Sequence, residues 1–360
     1  MPIDTASAET TGSRAVAPDL VRAVATVLVV VLHTSGTVAN SGPAQGPADW
    51  WAGLVYDSFV RPSVPLFVML TGWLLLSPER RAESIARFLW RRGGRIAVPL
   101  VSWSLIAIVW LAWRDHHPVA WTRFPRELLN GPLYYHLWYV YVLLGLYLAV
   151  PLLRPLAREA SQPLRRYTLG FWFVGTSLLP LSTWWGYPNV AIPVLVVSTY
   201  VGYLLAGSWL AEVRVVPATR RQLLLLVLLV GTWTALATAR LTGTETLNVG
   251  LFGYDRPNVL VMSVAWFVLL TQPEPSAWVG RHPRLLALLR SIGASSFGVY
   301  LVHPLLLDLL SSDVLGFRLT GTTIPAILGI PLLTAGVLAV SLGLMVVLRR
   351  IPVLGKAVGA

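Results

Sequence analysis

An arginine and a histidine stand eleven residues apart in an otherwise apolar stretch near the start of the chain, Arg22 and His33. In an α-helix, eleven residues make three turns plus about 20°, so both side chains lie on one face, about 16 Å apart along the axis. Imidazole suits a general base at neutral pH, and guanidinium suits phosphate. A structural interpretation fits the same residues: Arg22 reaches the lipid headgroups and His33 is a hydrogen-bonded core histidine.

A second histidine lies deep in an apolar segment near the C-terminus. His303 ends the run Ser296-Phe297-Gly298-Val299-Tyr300-Leu301-Val302-His303, and Asp308 follows it. Since His303 is expected as far into its helix as His33 is into the first, Tyr300, His303 and Asp308 are candidates for a cavity shared with His33. Hydrogen bonding between helices is the alternative role for His303.

A third histidine begins the aromatic run His136-Leu137-Trp138-Tyr139. Its expected position at a membrane surface suits either an aromatic belt or an acceptor site, so His136 and Trp138 are candidate acceptor residues.

Three arginines with two glycines between them precede another apolar segment, as Arg91-Arg92-Gly93-Gly94-Arg95. Glycine lets a ligand approach the backbone, and clustered guanidinium groups bind phosphate well. Arg91, Arg92 and Arg95 are therefore candidate phosphate ligands, although the basic loops of any membrane protein would explain them equally.

The elements that position these residues follow from composition. Of the 360 residues, 55% are hydrophobic and 12% are charged, and the mean hydropathy is +0.66. A soluble domain has roughly 25% charged residues, so a water-soluble enzyme is excluded. The chain has no cysteine, which excludes thiolate nucleophiles and cysteine-bound metals, and no metal site is expected. The net charge of +12 is assigned to membrane orientation, with no nucleic-acid partner.

Apolar segments long enough to cross about 30 Å of hydrocarbon predict an all-α, polytopic bundle of about ten transmembrane helices. They lie near 20–39, 59–77, 96–113, 133–153, 167–182, 191–210, 222–239, 257–271, 292–311 and 324–348. We expect a disordered cytoplasmic tail at 1–18, one transmembrane domain at 19–350 and a cytoplasmic tail at 351–360. A cleavable signal peptide ending near Ala39 is the competing interpretation of the start.

The basic residues predict the orientation. With a cytoplasmic N-terminus, most arginines fall in cytoplasmic connections, and the outer loops hold few. Those few are Arg114, Arg123, Arg126, Arg240, Arg256 and Arg318. Both termini are therefore expected in the cytoplasm, in a multi-pass protein of the bacterial plasma (inner) membrane.

These pieces, in this order, resemble the acyltransferase-3 family of bacterial membrane O-acyltransferases. The similarity rests on Arg22-x10-His33, Val64-Pro65-Leu66-Phe67-Val68-Met69-Leu70-Thr71-Gly72-Trp73-Leu74, Arg91-Arg92-x2-Arg95-Ile96-x2-Pro99, His136-Leu137-Trp138-Tyr139 and Ser296 to His303. Thr71 and Trp73 stand where many members have Ser and Phe. The chain is similar to stand-alone members, without a fused extracytoplasmic domain.

The resemblance implies transfer of an acyl group, usually acetyl, from acyl-CoA to a hydroxyl of an envelope glycan or lipid-linked saccharide. The acyl-CoA is a co-substrate, and no permanently bound cofactor is implied. His33 is then expected to be the general base, while Arg22 and the cluster Arg91, Arg92 and Arg95 hold the donor. Without a cysteine or a serine in a nucleophile elbow, direct attack on the thioester is favoured over an acyl-enzyme.

A secondary transporter or exporter of a saccharide or lipid-linked saccharide is the alternative from another class. It would require an internal repeat, and none is apparent in the sequence. The acceptor itself stays open, because sugars, antibiotics and peptidoglycan all present hydroxyl groups.

Overall fold

The chain is helical throughout the residues described by the computed structural model, which are 5–77, 83–116, 118–119, 121–181, 199–243, 246–351 and positions 355, 357 and 359. No strand occurs in these ranges. The α-helices are α1 Thr5–Asn40, α2 Pro47–Val60, α3 Ser63–Leu76, α4 Ile85–Arg114, α5 Phe124–Asn130, α6 Trp138–Glu159, α7 Gln162–Phe173, α8 Thr199–Leu210, α9 Pro217–Leu241, α10 Pro257–Leu270, α11 Pro273–Gly280, α12 Pro283–Ser311 and α13 Ala326–Leu348.

Seven helical segments of the described chain are long and apolar enough to cross a membrane. They are Val16–Asn40, Pro47–Leu76, Ile85–Arg114, Tyr135–Glu159, Pro217–Leu241, Pro283–Ser311 and Ala326–Leu348. The other three expected segments correspond to α7, α8 and α10, which have 12, 12 and 14 residues. At 1.5 Å per residue α10 is shorter than the hydrocarbon thickness, whereas α7 continues directly into a π-helical turn at Val174–Leu178. Residues 182–198, where part of the expected helix 191–210 lies, are outside the described residues. The protein is a multi-pass membrane protein.

The second segment begins earlier than the sequence predicts. Instead of starting near residue 59, it starts at Pro47, and α2 and α3 follow each other with a break at Arg61 and Pro62. Asp57 is buried in α2, where the sequence predicts an outer loop. The polar residues of α2 lower its hydropathy, but packing against α1 and α9 buries them. Tertiary contacts thus override the hydropathy pattern here.

Helix α1 is the central element of the bundle, and it contacts α2, α3, α11, α12 and α13. Its start differs from the disordered tail expected at 1–18, since α1 begins at Thr5. Extending an existing helix costs less than nucleating a new one, so the apolar segment continues into residues 5–18.

Helices α1 and α12 run parallel, side by side. Near their N-terminal ends, Arg290 Nε lies 3.7 Å from Asp19 Oδ2. Further along, the imidazole rings of His33 and His303 lie 5.1 Å apart. The parallel packing therefore brings residues at equal depth together.

Helices α3 and α8 approach so closely that their backbones touch at two glycines. A Cβ atom on Gly72 would overlap the Leu204 carbonyl, and a Cβ atom on Gly207 would overlap the Met69 carbonyl. Small residues are used in this way where membrane helices pack tightly. The contact fixes α3, whose residues line the first cavity described below.

Candidate functional site

Three of the candidate arginines line one cavity. This arginine cavity has a volume of about 280 Å³ and is bounded by side chains of α1, α3, α4, α6 and α12. Its polar lining comprises Arg22, Thr71, Arg92, Arg95, Tyr139, Tyr147, Ser296 and Tyr300. The sequence candidates of α1 and α4 thus meet in space, although they are about seventy residues apart in the chain.

The fourth candidate arginine does not belong to this cavity. Arg91 Nη2 lies 3.0 Å from Glu83 Oε2, and the Arg91 side chain is 49% exposed. Position 91 lies one turn before position 95, about 40° from it around the helix, so the ion pair with Glu83 and not the helical position directs Arg91 away from the cavity. The structure therefore brings Arg92 and Arg95, but not Arg91, to Arg22.

His33 lines a second and larger space. This histidine cavity has a volume of about 740 Å³. Besides His33, its ionisable and aromatic lining comprises Arg61, Arg114, Tyr134, Tyr135 and Asp308. The Tyr135 ring lies 5.2 Å from the His33 ring, and Tyr135 is 53% exposed. His33 therefore lies beside an accessible aromatic surface and several polar groups.

Asp308 is held by three donors from outside its own helix. Its Oδ2 accepts hydrogen bonds from Trp110 Nε1 at 2.7 Å, Arg114 Nη1 at 2.6 Å and Tyr134 OH at 2.9 Å. Bonds between ionised partners are roughly twice as strong as neutral ones. This network joins α4 and α12 and fixes one wall of the histidine cavity.

A largely buried ion pair lies at another part of the cavity wall, which Arg61 lines. Arg61 bonds to Asp57 one helical turn earlier, and Asp57 is 1% exposed. The guanidinium carbon of Arg61 also lies 3.9 Å from the centre of the Phe252 ring. Arg61 is thereby held rigidly at the edge of the cavity that contains His33.

A layer of rings, formed by His136, Tyr300 and His303, connects the two cavities. Tyr300 lines the arginine cavity, and its hydroxyl donates to the carbonyl of His136. The His303 ring lies 6.2 Å from Tyr300 and 5.1 Å from His33. These rings therefore lie between Tyr300 in the wall of the arginine cavity and His33 in the wall of the histidine cavity.

His303 has one ring nitrogen bonded and one unbonded. Its Nδ1 lies 2.9 Å from the carbonyl of Val299 and must carry the proton of that bond. Its Nε2 is buried without a hydrogen-bond partner among the described residues. His303 therefore presents a free lone pair inside the ring layer.

His136 and Trp138 do not border the histidine cavity. His136 is 2% exposed, and its ring packs edge-on against Tyr134 at 5.4 Å. The Trp138 ring stacks on Tyr254 at 5.8 Å. Burial raises the pKa of Tyr254 to about 12, so its hydroxyl stays neutral.

Several cavity residues were missed by sequence reasoning. Of these, Arg61, Arg114, Tyr134 and Tyr135 line the histidine cavity, and two further residues, Asp57 and Trp110, bond to its lining residues Arg61 and Asp308. The spacing of Asp57 and Arg61 by four residues is a helical ion-pair signal that could have identified them. No group of three or more His, Asp or Glu residues placed to hold a metal ion occurs in the part of the chain that the structure describes.

Comparison with known proteins identifies the family. The model of the acyltransferase-3 family, described as an acyltransferase domain, matches residues 16–346. No curated protein matched the chain, and no solved structure did. The match covers nearly the whole chain, including both cavities. This chain is therefore a membrane acyltransferase that belongs to the acyltransferase-3 family.

Proposed function

We propose that the protein moves an acyl group, usually acetyl, from acyl-CoA to a hydroxyl of an envelope glycan, a lipid-linked saccharide or a similar acceptor. The observation that supports this most directly is that side chains of one helix, α1, line two cavities. Arg22 lines one and His33 the other, and the ring layer links Tyr300 of the first cavity to His33 of the second. A transporter is not favoured, because the matching family model describes an acyltransferase domain.

The arginine cavity is the proposed donor site. Three guanidinium groups converge there. Among the described residues, the carboxylate that pairs with one of them is Asp19, whose Oδ1 lies 3.7 Å from Arg22 Nη1. An excess of positive charge in a confined space favours phosphate groups. The uncharged remainder of the lining, with Phe67, Leu70 and Leu74, suits the less polar arm that carries the thioester.

The histidine cavity is the proposed acceptor site. Its arginines are already paired with carboxylates, Arg61 with Asp57 and Arg114 with Asp308. A site with balanced charge and an exposed aromatic ring suits a neutral molecule rich in hydroxyl groups. Its larger volume leaves room for part of a saccharide.

His33 acts as the general base in the proposed reaction. Its imidazole takes the proton of the acceptor hydroxyl while that oxygen attacks the thioester carbonyl. The tetrahedral intermediate collapses, the carbon–sulfur bond breaks, and the thiolate of CoA leaves. The proton then passes from His33 to the thiolate, so an ester and free CoA are formed. For the thioester to meet His33, the side chains of Tyr300 and His303 must move aside.

The charge distribution predicts that donor and acceptor enter from opposite faces. The arginine cavity lies at the end of α1 expected in the cytoplasm, where acyl-CoA occurs. The histidine cavity lies toward the other end of α1. Modification of a lipid-linked acceptor on the cytoplasmic face before export is the alternative.

Sealed vesicles of known orientation test this proposal. Acetyl-CoA supplied only at the cytoplasmic face should acetylate an acceptor confined to the opposite face. Transfer that occurs only when both substrates share the cytoplasmic face would overturn the through-membrane arrangement. Mass spectrometry of envelope glycans from a deletion strain and its parent identifies the acceptor, and the mass lost identifies the acyl group.

A further inference from the structure

One arginine near the arginine cavity has no assigned role. Arg154 lies on α6, seven residues after the cavity residue Tyr147. Seven residues are nearly two full turns, so both side chains lie on one face of α6, about 10 Å apart along the axis. Arg154 therefore continues the cavity-lining face of α6 toward the helix end expected in the cytoplasm.

A buried aromatic ring joins Arg154 to the cavity wall. The Phe88 ring packs edge-on against the Tyr147 ring at 6.2 Å. The guanidinium carbon of Arg154 lies over the same ring, 4.7 Å from its centre. Phe88 has no exposed surface. A cation over an aromatic face is attracted by the ring's charge distribution and needs no hydrogen bond to it, so the N–H groups of Arg154 remain available to bind another group.

Within the described part of the chain, Arg154 makes no hydrogen bond. Its Nε is buried and has no partner. The carboxylate close enough to act on it is Glu83, but Glu83 is bonded to Arg91 at 3.0 Å. Arg158, one turn further along α6, and Arg92, which lines the cavity, both repel Arg154 electrostatically, Arg158 more strongly. Neighbouring cations that share no carboxylate partner raise the free energy of the folded protein, and an anion bound between them removes this cost.

We propose that Arg154 binds a second phosphate of the donor, the 3′-phosphate of the CoA ribose, while Arg22, Arg92 and Arg95 bind the diphosphate. CoA carries a diphosphate and a separate phosphate monoester, so it needs two groups of cations. A planar guanidinium can grip a phosphate monoester through two parallel hydrogen bonds. The inference rests on acyl-CoA being the donor. A lipid phosphate is the other source of the same chemistry.

The test measures how Arg154 discriminates between two ligands that differ only in this phosphate. Full-length protein in phosphatidylcholine nanodiscs is titrated with CoA and with 3′-dephospho-CoA. Wild type should bind CoA more tightly than dephospho-CoA, by about tenfold to a hundredfold, the value of one or two charged hydrogen bonds. In Arg154→Ala, affinity for CoA should fall to that for dephospho-CoA, which itself should not change.

Matched variants separate the site from general charge effects. Arg166→Ala removes an exposed arginine from the neighbouring helix α7 and should leave both affinities unchanged. Arg92→Ala should weaken both ligands, since both retain the diphosphate. Arg154→Lys, which keeps the charge and the alkyl chain, should retain part of the discrimination.

The outcomes are distinct. If Arg154→Ala keeps the wild-type ratio of the two affinities, or weakens both ligands equally, the inference is overturned, and a lipid headgroup becomes the partner of Arg154. If wild type binds neither ligand, acyl-CoA is not the donor, and the donor assignment falls together with this inference.

Discussion

The imidazole rings of His33 and His303 lie 5.1 Å apart, one from the first helix and one from the twelfth. Only His33 borders the large cavity, while His303 is completely buried. Because His303 Nδ1 bonds to the Val299 carbonyl, the lone pair of its Nε2 is available within the ring layer. We therefore expect the two histidines to differ in function, with His33 at the reacting hydroxyl and His303 holding the geometry around it.

His33→Ala should reduce acyl transfer about 10²- to 10⁴-fold, because a positioned general base is lost. The measurement is the acyl content of envelope glycans in a deletion strain that carries the variant. His282→Ala, which removes an exposed histidine bonded to the Trp278 carbonyl, serves as the control and should transfer normally. Near-normal transfer by His33→Ala would make His33 a packing residue.

Arg92→Ala and Arg95→Ala should each weaken acetyl-CoA binding by about tenfold or more, since each removes a charged hydrogen-bond donor from the arginine cavity. Arg91→Ala should bind almost as well as wild type, because Arg91 is turned toward Glu83. Titration of each variant with acetyl-CoA in detergent compares the three affinities. Equal losses in all three variants would show that charge near the membrane surface, and not the cavity, determines donor binding.

Asp308→Ala should lower the free energy of unfolding by about 1–3 kcal/mol, because partly buried donors on Trp110, Arg114 and Tyr134 lose their acceptor. Asp313→Ala breaks an exposed ion pair with Arg318 and should change stability little. Denaturation in detergent measures both variants. Equal stability of the two would contradict a structural role for the Asp308 network.

Gly207→Ala should strongly reduce the yield of folded protein, since the added methyl group would overlap the Met69 carbonyl on α3. Backbone atoms of a packed helix cannot move aside as a flexible side chain can. Gly336→Ala, in α13, adds the same methyl group to open space and should be neutral or slightly stabilising. Gel filtration of both variants checks this, and normal behaviour of Gly207→Ala would refute the close contact of α3 and α8.

Reporter fusions after Ser161 and Arg284 should give a cytoplasmic signal, and fusions after Gly46 and Trp185 an external one. This expectation rests on the excess of basic residues in the connections assigned to the cytoplasm. A cytoplasmic signal from the fusion after Gly46 would reverse the orientation of α1 and exchange the faces proposed for donor and acceptor.

The sequence alone determined the class of the protein and the relation between residues on one helix. Long apolar segments require helices in a bilayer, where every backbone polar group must be bonded within the segment. Helical periodicity then places Arg22 and His33 on one face, and each now lines a cavity.

Which residues of different helices meet depends on how the helices pack. Hydropathy left Asp57 in an outer loop and Arg61 at the edge of a helix, but burial against α1 and α9 makes α2 part of the bundle. The sequence grouped Arg91 with Arg92 and Arg95, whereas in the structure an ion pair holds Arg91 at Glu83, outside the cavity. It did not connect Asp308 with Arg114 or Tyr134. Such contacts depend on the rotation and tilt of packed helices, which are set by the fit of side chains across all neighbours at once and leave no periodic signal in any single segment.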